Sequence, residues 1–270
     1  MDVPVEKADL CIVGAGLAGL NALFVASRYL TRDQRVILVD RRERVGGMWV
    51  DTYPYVRLHQ PHPMFTAGNI RWTLGKPPAY LASKPEVLGH FQHCLDEIEK
   101  QLHVDEFFGW TVESDIERAD GVLVTCRAAD GNLLQIETPQ LIKAYGFRVD
   151  PNDPLNVSSS QVRSVSPDTC DVHEAPMADS RDPVWIIGGG KTAMDTAHAL
   201  ITDSPGREVN MLAGGGTFFH DRGKFFPDRM HRWWTGTMAS SIAEEFSHRF
   251  DGTNEDELWT WHRDRYGLWS

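Results

Sequence analysis

The hydrophobic and polar positions of the first forty residues change period twice. An apolar run at 8–13 leads into the glycine-rich segment 14–19, after which apolar positions recur at helical spacing over 20–30. A second apolar run at 35–39 ends in Asp40. Short apolar runs bounded by turns are typical of buried strands, whereas a spacing of three to four residues is typical of a helix. The pattern therefore predicts a β-α-β unit.

The glycine-rich segment has the spacing of a dinucleotide-binding turn. It reads Gly-x-Gly-x-x-Gly between a predicted strand and a predicted helix, and Asp40 follows roughly 20 to 26 positions later. The first glycine permits a tight bend, the second lets the backbone approach a pyrophosphate and the third allows close helix packing. The helix N-terminus then faces the phosphates, and the acid accepts hydrogen bonds from the ribose hydroxyls. The candidate cofactor-binding residues are Gly14, Ala15, Gly16, Leu17, Ala18, Gly19, Asp40 and Arg41.

A glycine pair lies just beyond the second predicted strand. The sequence DRRERVGGMW, following GAGLAG, resembles the FAD-binding segment of flavin-dependent oxidoreductases with two dinucleotide domains, most closely the flavin-containing and Baeyer-Villiger monooxygenases. The resemblance implies FAD rather than NAD at this first site, with one segment beside the flavin diphosphate and ring. That segment comprises Gly46, Gly47, Met48 and Trp49. The resemblance also implies that 55–63 lies over the isoalloxazine, which makes His59 and Gln60 the candidate catalytic residues.

No metal site is expected in this strip, and the two histidines are equally well explained as loop residues without a chemical role. His59 and His62 are three residues apart, but no third ligand is nearby, and Pro61 and Pro63 disfavour presentation of the histidines on a helix. The four cysteines are widely separated and form no Cys-x-x-Cys pair, so neither a zinc knuckle nor a dithiol redox centre is predicted. This cysteine usage is typical of a reducing, cytoplasmic setting.

The middle of the chain predicts one amphipathic helix followed by a β-meander. Ser83 and Glu86 have the spacing of a capping box, and apolar residues then recur at helical spacing up to Leu102. Three histidines of this region are expected to face solvent: His90, His93 and His103. Three β-like runs separated by turn signals follow at 110–116, 122–127 and 133–137.

A second glycine turn follows the apolar run 184–187. This run is followed by the segment Gly-Gly-Gly-Lys-Thr-Ala and by a helical pattern at 194–201. The spacing agrees with the Gly-x-Gly-x-x-Ala variant of the dinucleotide turn. A P-loop is excluded because Trp185 occupies the position of its first glycine. The next predicted strand, 208–212, ends without an acid, which favours NADP over NAD. The candidate residues are Gly188, Gly190, Lys191, Thr192 and Ala193.

The cations available for an NADP 2′-phosphate are Lys191, Arg222 and Lys224, although solvated surface charge explains them equally well. The stretch 141–147 is similar to the strand and turn by which the resembling enzymes pass from the FAD domain to the NADP domain. We therefore expect an FAD-binding domain at 1–147, a proline-rich connector at 148–183 and an NAD(P)-binding domain, complete or incomplete, at 184–270. The predicted fold class is α/β, with a Rossmann-like FAD-binding domain that carries a β-meander and a second Rossmann-like NAD(P)-binding domain.

The net charge of the 270-residue chain restricts the kinds of partner that it is expected to bind. Lys and Arg number 27 against 38 Asp and Glu, and the net charge of −11 disfavours nucleic acid and anionic membranes. The apolar stretch 10–26 approaches the length of a membrane span. An acidic segment precedes it and Asn21 interrupts it, so neither a signal peptide nor an anchor is predicted. We expect a small-molecule substrate.

Two departures from the resembling families limit this interpretation. Their linker fingerprint F-x-G-x-x-x-H-x-x-x-aromatic is not recognisable at 157–172, and the families are longer than this chain. A truncated form and a homo-oligomer that covers exposed sheet edges are both expectations. Five late tryptophans are candidates for such coverage or, equally, for the core of a missing second half: Trp233, Trp234, Trp259, Trp261 and Trp269.

The predicted activity is that of an FAD-dependent, NAD(P)H-using oxidoreductase of the monooxygenase type, in which NADPH reduces FAD and oxygen then reacts. Two alternatives stay open. One is an FAD reductase or oxidase without oxygenation, and the other is a truncated, non-catalytic FAD-binding protein.

Overall fold

A computed structural model describes residues 3–77, 79–146, 151–221 and 246–267. The described chain forms two compact units. The first lies within residues 1–58, 65–75 and 82–179, and the second within residues 59–64, 76–81 and 180–270.

The first unit is built on a parallel sheet and a meander. Its elements in chain order are β1 (Val5–Lys7), β2 (Leu10–Val13), α1 (Leu17–Ala26), β3 (Arg35–Asp40), α2 (Lys84–Glu99), β4 (His103–Phe108), β5 (Trp110–Arg118), β6 (Gly121–Ala128), β7 (Leu133–Thr138) and β8 (Leu141–Lys143). The parallel sheet has the order β4-β3-β2-β8. In the second sheet β5, β6 and β7 are antiparallel neighbours, and β1 joins β7 in parallel. The β-α-β unit and the three-stranded meander predicted from the sequence are both confirmed.

The central strands of the parallel sheet, β2 and β3, are buried on both faces, which explains why they read as continuous apolar runs. Successive residues of β2 and β3 point to opposite faces and enter two different hydrophobic clusters. One face packs on α1 and α2 through Leu10, Ile12, Val36 and Leu38, with Leu20, Leu23, Phe91 and Leu95 opposite them. The other face packs on the meander through Cys11, Val13, Ile37 and Val39, with Val124, Cys126 and Ile136 opposite them. Each large side chain buried in this way contributes about 1.5–3 kcal/mol.

Helix α2 begins with the predicted capping box. The backbone N–H of Ser83 donates to Glu86 Oε2 at 2.7 Å, and Pro85 lies in the first turn. The expectation that His90 faces solvent is wrong. His90 is buried on the core side of the helix, where its Nε2 lies 2.8 Å from the hydroxyl oxygen of Thr66 and its ring stacks on Trp72 at 3.9 Å.

The second unit contains a smaller strand-helix-strand arrangement. Its elements are β9 (Val184–Ile187), α3 (Lys191–Asp203), β10 (Val209–Leu212) and α4 (Glu255–Tyr266). Strands β9 and β10 pair in parallel, with Val184 opposite Val209, as the second glycine turn predicted. Trp259 and Trp261 lie on α4. The other late tryptophans, Trp233, Trp234 and Trp269, lie outside the described residues. None of the helices in the described ranges is long and apolar enough to cross a membrane.

Candidate functional site

The glycine turn after β2 is a tightly packed backbone structure. Gly14 has a φ of +109°, and a Cβ at this position would lie 2.6 Å from the carbonyl oxygen of Ala144. A Cβ at Gly19 would lie only 1.7 Å from the carbonyl oxygen of Gly14. Any side chain at these two positions would therefore displace backbone, which is the physical reason for glycine here.

The second glycine pair packs directly on this turn. The backbone N–H of Gly46 donates to the carbonyl oxygen of Ala15 at 2.9 Å. A Cβ at Gly47, whose φ is +55°, would lie 2.7 Å from the Cα of Gly16. A short 3-10 helix, Gly47–Val50, begins at this contact. The two sequence motifs, about thirty residues apart, thus form one surface, in which a side chain at Gly47 would collide with the backbone of Gly16.

The carboxylate of Asp40 ties the end of β3 to the glycine turn. Asp40 is 6% exposed, and its Oδ2 accepts the backbone N–H of Ala15 at 2.7 Å. Its Oδ1 accepts the backbone N–H of Arg42 at 2.9 Å, and the guanidinium of Arg42 lies 3.7 Å away. Each carboxylate oxygen retains a second lone pair, so hydrogen bonds to ribose hydroxyls are still available.

Sequence reasoning missed Arg42. It nominated Arg41, whose side chain is 56% exposed, whereas that of Arg42 is 17% exposed and joins Asp40 to Asp51. Its Nε donates to Asp51 Oδ2 at 2.8 Å, and its terminal nitrogen contacts the same oxygen. The adjacent arginines in the DRR sequence carried no signal that distinguished the inward side chain from the outward one.

These segments line a cleft of about 750 Å³ in the first unit. Its volume falls within the range of small-molecule sites. The sequence-predicted residues that line it are Gly14, Gly16, Leu17, Ala18, Asp40, Arg41, Gly46, Gly47, Met48 and Trp49. Strand β5 adds Trp110 and Asp115, and Asp115 pairs with Lys143 at 2.6 Å, which raises the pKa of Lys143.

The N-terminus of α1 allows the cleft to bind an anion. Gly16 is the N-cap residue, no side chain caps the first turn, and no acid lies in it. The first backbone N–H groups of a helix have no partner within the helix and carry the positive end of its dipole. Because Gly16 and Gly47 lack side chains, a diphosphate has open access to these groups. The residues of the cleft therefore fit a dinucleotide.

The predicted catalytic pair lies in the other unit. His59 and Gln60 belong to the short segment 59–64, in which His59 is exposed and Gln60 is half-buried. His62 is only 3% exposed, and its Nδ1 lies 3.4 Å from the carbonyl oxygen of Tyr80. The two histidines thus occupy different environments, and ring contact by His59 and Gln60 stays a prediction.

The second glycine turn has the backbone features of the first, in a more open form. Gly188 has a φ of +140°, Gly190 is the N-cap of α3 without a side-chain cap, and Ala193 is buried against the turn. The ammonium of Lys191 contacts the carboxylate of Asp195 one helical turn later. The other cations proposed for a 2′-phosphate, Arg222 and Lys224, lie outside the described residues.

Comparison with known proteins connects this geometry to a family. The sequence profile described as pyridine nucleotide-disulphide oxidoreductase matches residues 8–238. The FAD-containing monooxygenase EthA of Mycobacterium tuberculosis is 25% identical over 244 residues, which cover 87% of this chain and 47% of EthA. The chain spans 36 to 48% of the length of the curated relatives it matches.

Two solved structures have the same fold. A flavin-containing monooxygenase from Stenotrophomonas maltophilia superposes with a TM-score of 0.53 at 18% identity, over 78% of this chain and 59% of the other. The bacillithiol disulfide reductase Bdr (YpdA) from Staphylococcus aureus superposes with a TM-score of 0.55 at 16% identity, over 89% of this chain and 65% of the other. At these identities the likeness establishes the fold alone.

Proposed function

The chain belongs to the pyridine nucleotide-disulphide oxidoreductase family, and from this premise we propose that it binds FAD in the glycine-lined cleft and NADPH at the second glycine turn. The contact between Gly16 and Gly47, beside the buried Asp40, is the observation that carries the proposal. It joins the motif expected at a diphosphate to the motif expected at a flavin in one cleft.

The residues of the first unit have defined tasks in this proposal. The uncapped N-terminus of α1 binds the diphosphate, and Asp40 accepts hydrogen bonds from the ribose through its remaining lone pairs. Met48 and Trp49 line the cleft beside the position proposed for the flavin ring, where Trp49 meets Phe65 edge-on at 5.7 Å. When bound, FAD supplies the redox chemistry, accepting a hydride from the nicotinamide. The protein orients the two cofactors and excludes water from the site of hydride transfer.

NADPH rather than NADH is proposed because of the residues that follow β10. That strand ends at Leu212 and is followed by Ala213 and three glycines. No carboxylate within 213–216 is available to hold the ribose hydroxyl pair of NAD. Lys191 is a weak candidate for the 2′-phosphate because its ammonium already contacts Asp195.

The proposed reaction ends with transfer of the electrons to oxygen and oxygenation of a small molecule. The relationship to the FAD-containing monooxygenase EthA supports this step. A second candidate is reduction without oxygenation, which the absence of the monooxygenase linker fingerprint at 157–172 favours. Oxygen consumption coupled to product formation distinguishes the two.

A visible absorption spectrum under anaerobic conditions, before and after NADPH, tests the proposal. We expect a flavin band that bleaches on addition of NADPH. A flavin band that does not bleach refutes the second site, and a chain that neither retains nor takes up FAD refutes the first.

Gly47→Ala should abolish flavin uptake, because the added Cβ would lie 2.7 Å from Gly16. Gly75→Ala is the matched control. Gly75 has a similar φ of +63°, but no atom lies within 4 Å of the position of its Cβ. Equal flavin content in the two variants would show that backbone strain, and not the cleft, explains any loss.

A further inference from the structure

A second cleft, of about 400 Å³, lies in the first unit away from the glycine turn. It is bounded by the end of α1, the loop 69–73 and one side of α2. Its apolar wall comprises Phe24, Ile70, Trp72 and Ile98. None of these residues belongs to the proposed FAD site, and the volume is within the range of sites for small organic molecules.

The aromatic part of this wall is fixed before any ligand arrives. The indole N–H of Trp72 donates to the carbonyl oxygen of Phe65 at 3.1 Å, and its ring stacks on His90 with an angle of 15° between planes. The Phe24 ring covers Gly68, at which a Cβ would lie 2.1 Å from the ring. A preformed wall of this kind lowers the ordering cost of binding a flat ligand.

Two arginines line the cleft, although the net charge of the whole chain is negative. Arg28 lies over the Phe24 ring, with its guanidinium carbon 4.7 Å from the ring centroid, and Arg71 lines the cleft from the loop. Within the described residues neither guanidinium is paired with a carboxylate. The whole chain, in contrast, carries a net charge of −11.

Among the described residues that line the cleft, the one carboxylate, that of Glu97, is paired with a cation. Glu97 Oε1 lies 2.5 Å from the ammonium of Lys100 and 3.9 Å from Nδ1 of His93. The hydrogen bond from Lys100 holds the pKa of Glu97 below its usual value. The described charges that line the cleft without an ionic partner are therefore the guanidinium groups of Arg28 and Arg71, which attract an anion.

We propose that this cleft binds a small organic anion with a flat apolar body, such as an aromatic carboxylate. The ring lies against Trp72 and Ile70, and the carboxylate meets the two guanidinium groups, whose planar donors suit a carboxylate. The site is independent of the FAD cleft and is open to a second ligand while that cleft is filled.

Isothermal titration with 2-naphthoate, carried out on the chain in the presence of excess FAD, tests this assignment. We expect one saturable site with a millimolar or tighter dissociation constant, and about tenfold weaker binding of the uncharged 2-naphthylmethanol. Arg28→Gln and Arg71→Gln should each weaken naphthoate binding about tenfold, because each removes one charge-assisted contact. Arg118→Gln is the control, since Arg118 is a half-exposed arginine of the meander that pairs with Glu137 at 3.4 Å. It should bind the probe like the unmodified chain.

Each of three results would overturn the assignment. Equal affinity in all three arginine variants would remove the charge argument, and inorganic phosphate binding as tightly as naphthoate would remove the argument for an apolar body. Competition between FAD and naphthoate would place the probe in the glycine-lined cleft. Thermal unfolding of each variant verifies that it is folded, which is expected because both cleft arginines lie at the surface.

Discussion

Replacement of Asp40 by Asn separates the structural role of this carboxylate from its role toward a cofactor. The substitution keeps the shape of the side chain but removes its charge and exchanges one acceptor oxygen for an amide group. Asp40 is buried, and its two oxygens accept the backbone N–H groups of Ala15 and Arg42. Asparagine can accept only one of these, so its NH₂ group faces a buried N–H donor.

The expected loss of stability follows from these two hydrogen bonds. A hydrogen bond to a charged group contributes about 1.5–3 kcal/mol, and an unsatisfied buried donor costs a similar amount. The backbone N–H group that still donates to the side-chain oxygen forms a hydrogen bond about half as strong as before, because that oxygen is now neutral. We therefore expect Asp40→Asn to lower the free energy of unfolding by about 2–4 kcal/mol in the absence of FAD.

Urea denaturation of the FAD-free protein measures this effect, and Asp51→Asn is the matched control. Asp51 pairs with the same arginine, but its side chain is 57% exposed, so its loss should cost less than about 1 kcal/mol. If the shift for Asp40→Asn were no larger than that for Asp51→Asn, the carboxylate would not hold the glycine turn and the reasoning would be refuted.

Three further predictions concern other parts of the first unit. Burial and the nearby Glu106 carboxyl raise the pKa of Glu99 to about 7. The folded chain therefore holds the carboxyl proton of Glu99 more tightly than the unfolded chain does. The free energy of unfolding falls as pH rises from about 4.5 to 7. Glu99→Gln should therefore be more stable than the unmodified chain by about 1 kcal/mol at pH 8 and equally stable at pH 4, as urea midpoints at the two pH values would show. Lys84→Met removes two hydrogen bonds, at 3.0 and 2.5 Å, to backbone carbonyls just beyond the flavin segment. We expect it to cost about 1–2 kcal/mol and to weaken FAD binding in a fluorescence titration, and unchanged values would show that the segment is held by other contacts. Burial raises the pKa of Cys11 to about 12 and of Cys126 to about 11. A thiol reagent should therefore label only the half-buried Cys170 rapidly in the folded protein. Rapid labelling of more than one thiol would contradict the described burial.

The elements that could be predicted from the sequence are those with local signals. The β-α-β unit follows from an apolar run, a glycine turn and a helical period within forty consecutive residues. Strand β4 was not predicted, because its sequence HVDEFF combines two carboxylates with a half-exposed pattern. Its strand state is fixed by pairing with β3, in which Arg35 is opposite His103. This non-local interaction leaves little trace in the local sequence.

The misplacement of His90 has a different cause. Its position is three residues after Val87 and four before Cys94, which places it on the buried face of α2. The helical period therefore predicts a buried position here, although histidine is a polar residue. The contact between Gly16 and Gly47, in contrast, depends on how two turns pack, and spacing alone does not determine it.

The central position of β2 has a consequence for synthesis on the ribosome. One edge of β2 pairs with β3, whose residues follow within 30 positions, but the other edge pairs with β8, in which Leu141 is opposite Cys11. While the intervening meander is being translated, the nascent chain presents an apolar strand edge that has no native neighbour. Unpaired edges of this kind invite association between chains. The yield of folded protein should therefore depend on how quickly the segment after Pro139 leaves the exit tunnel, a dependence that the finished structure conceals.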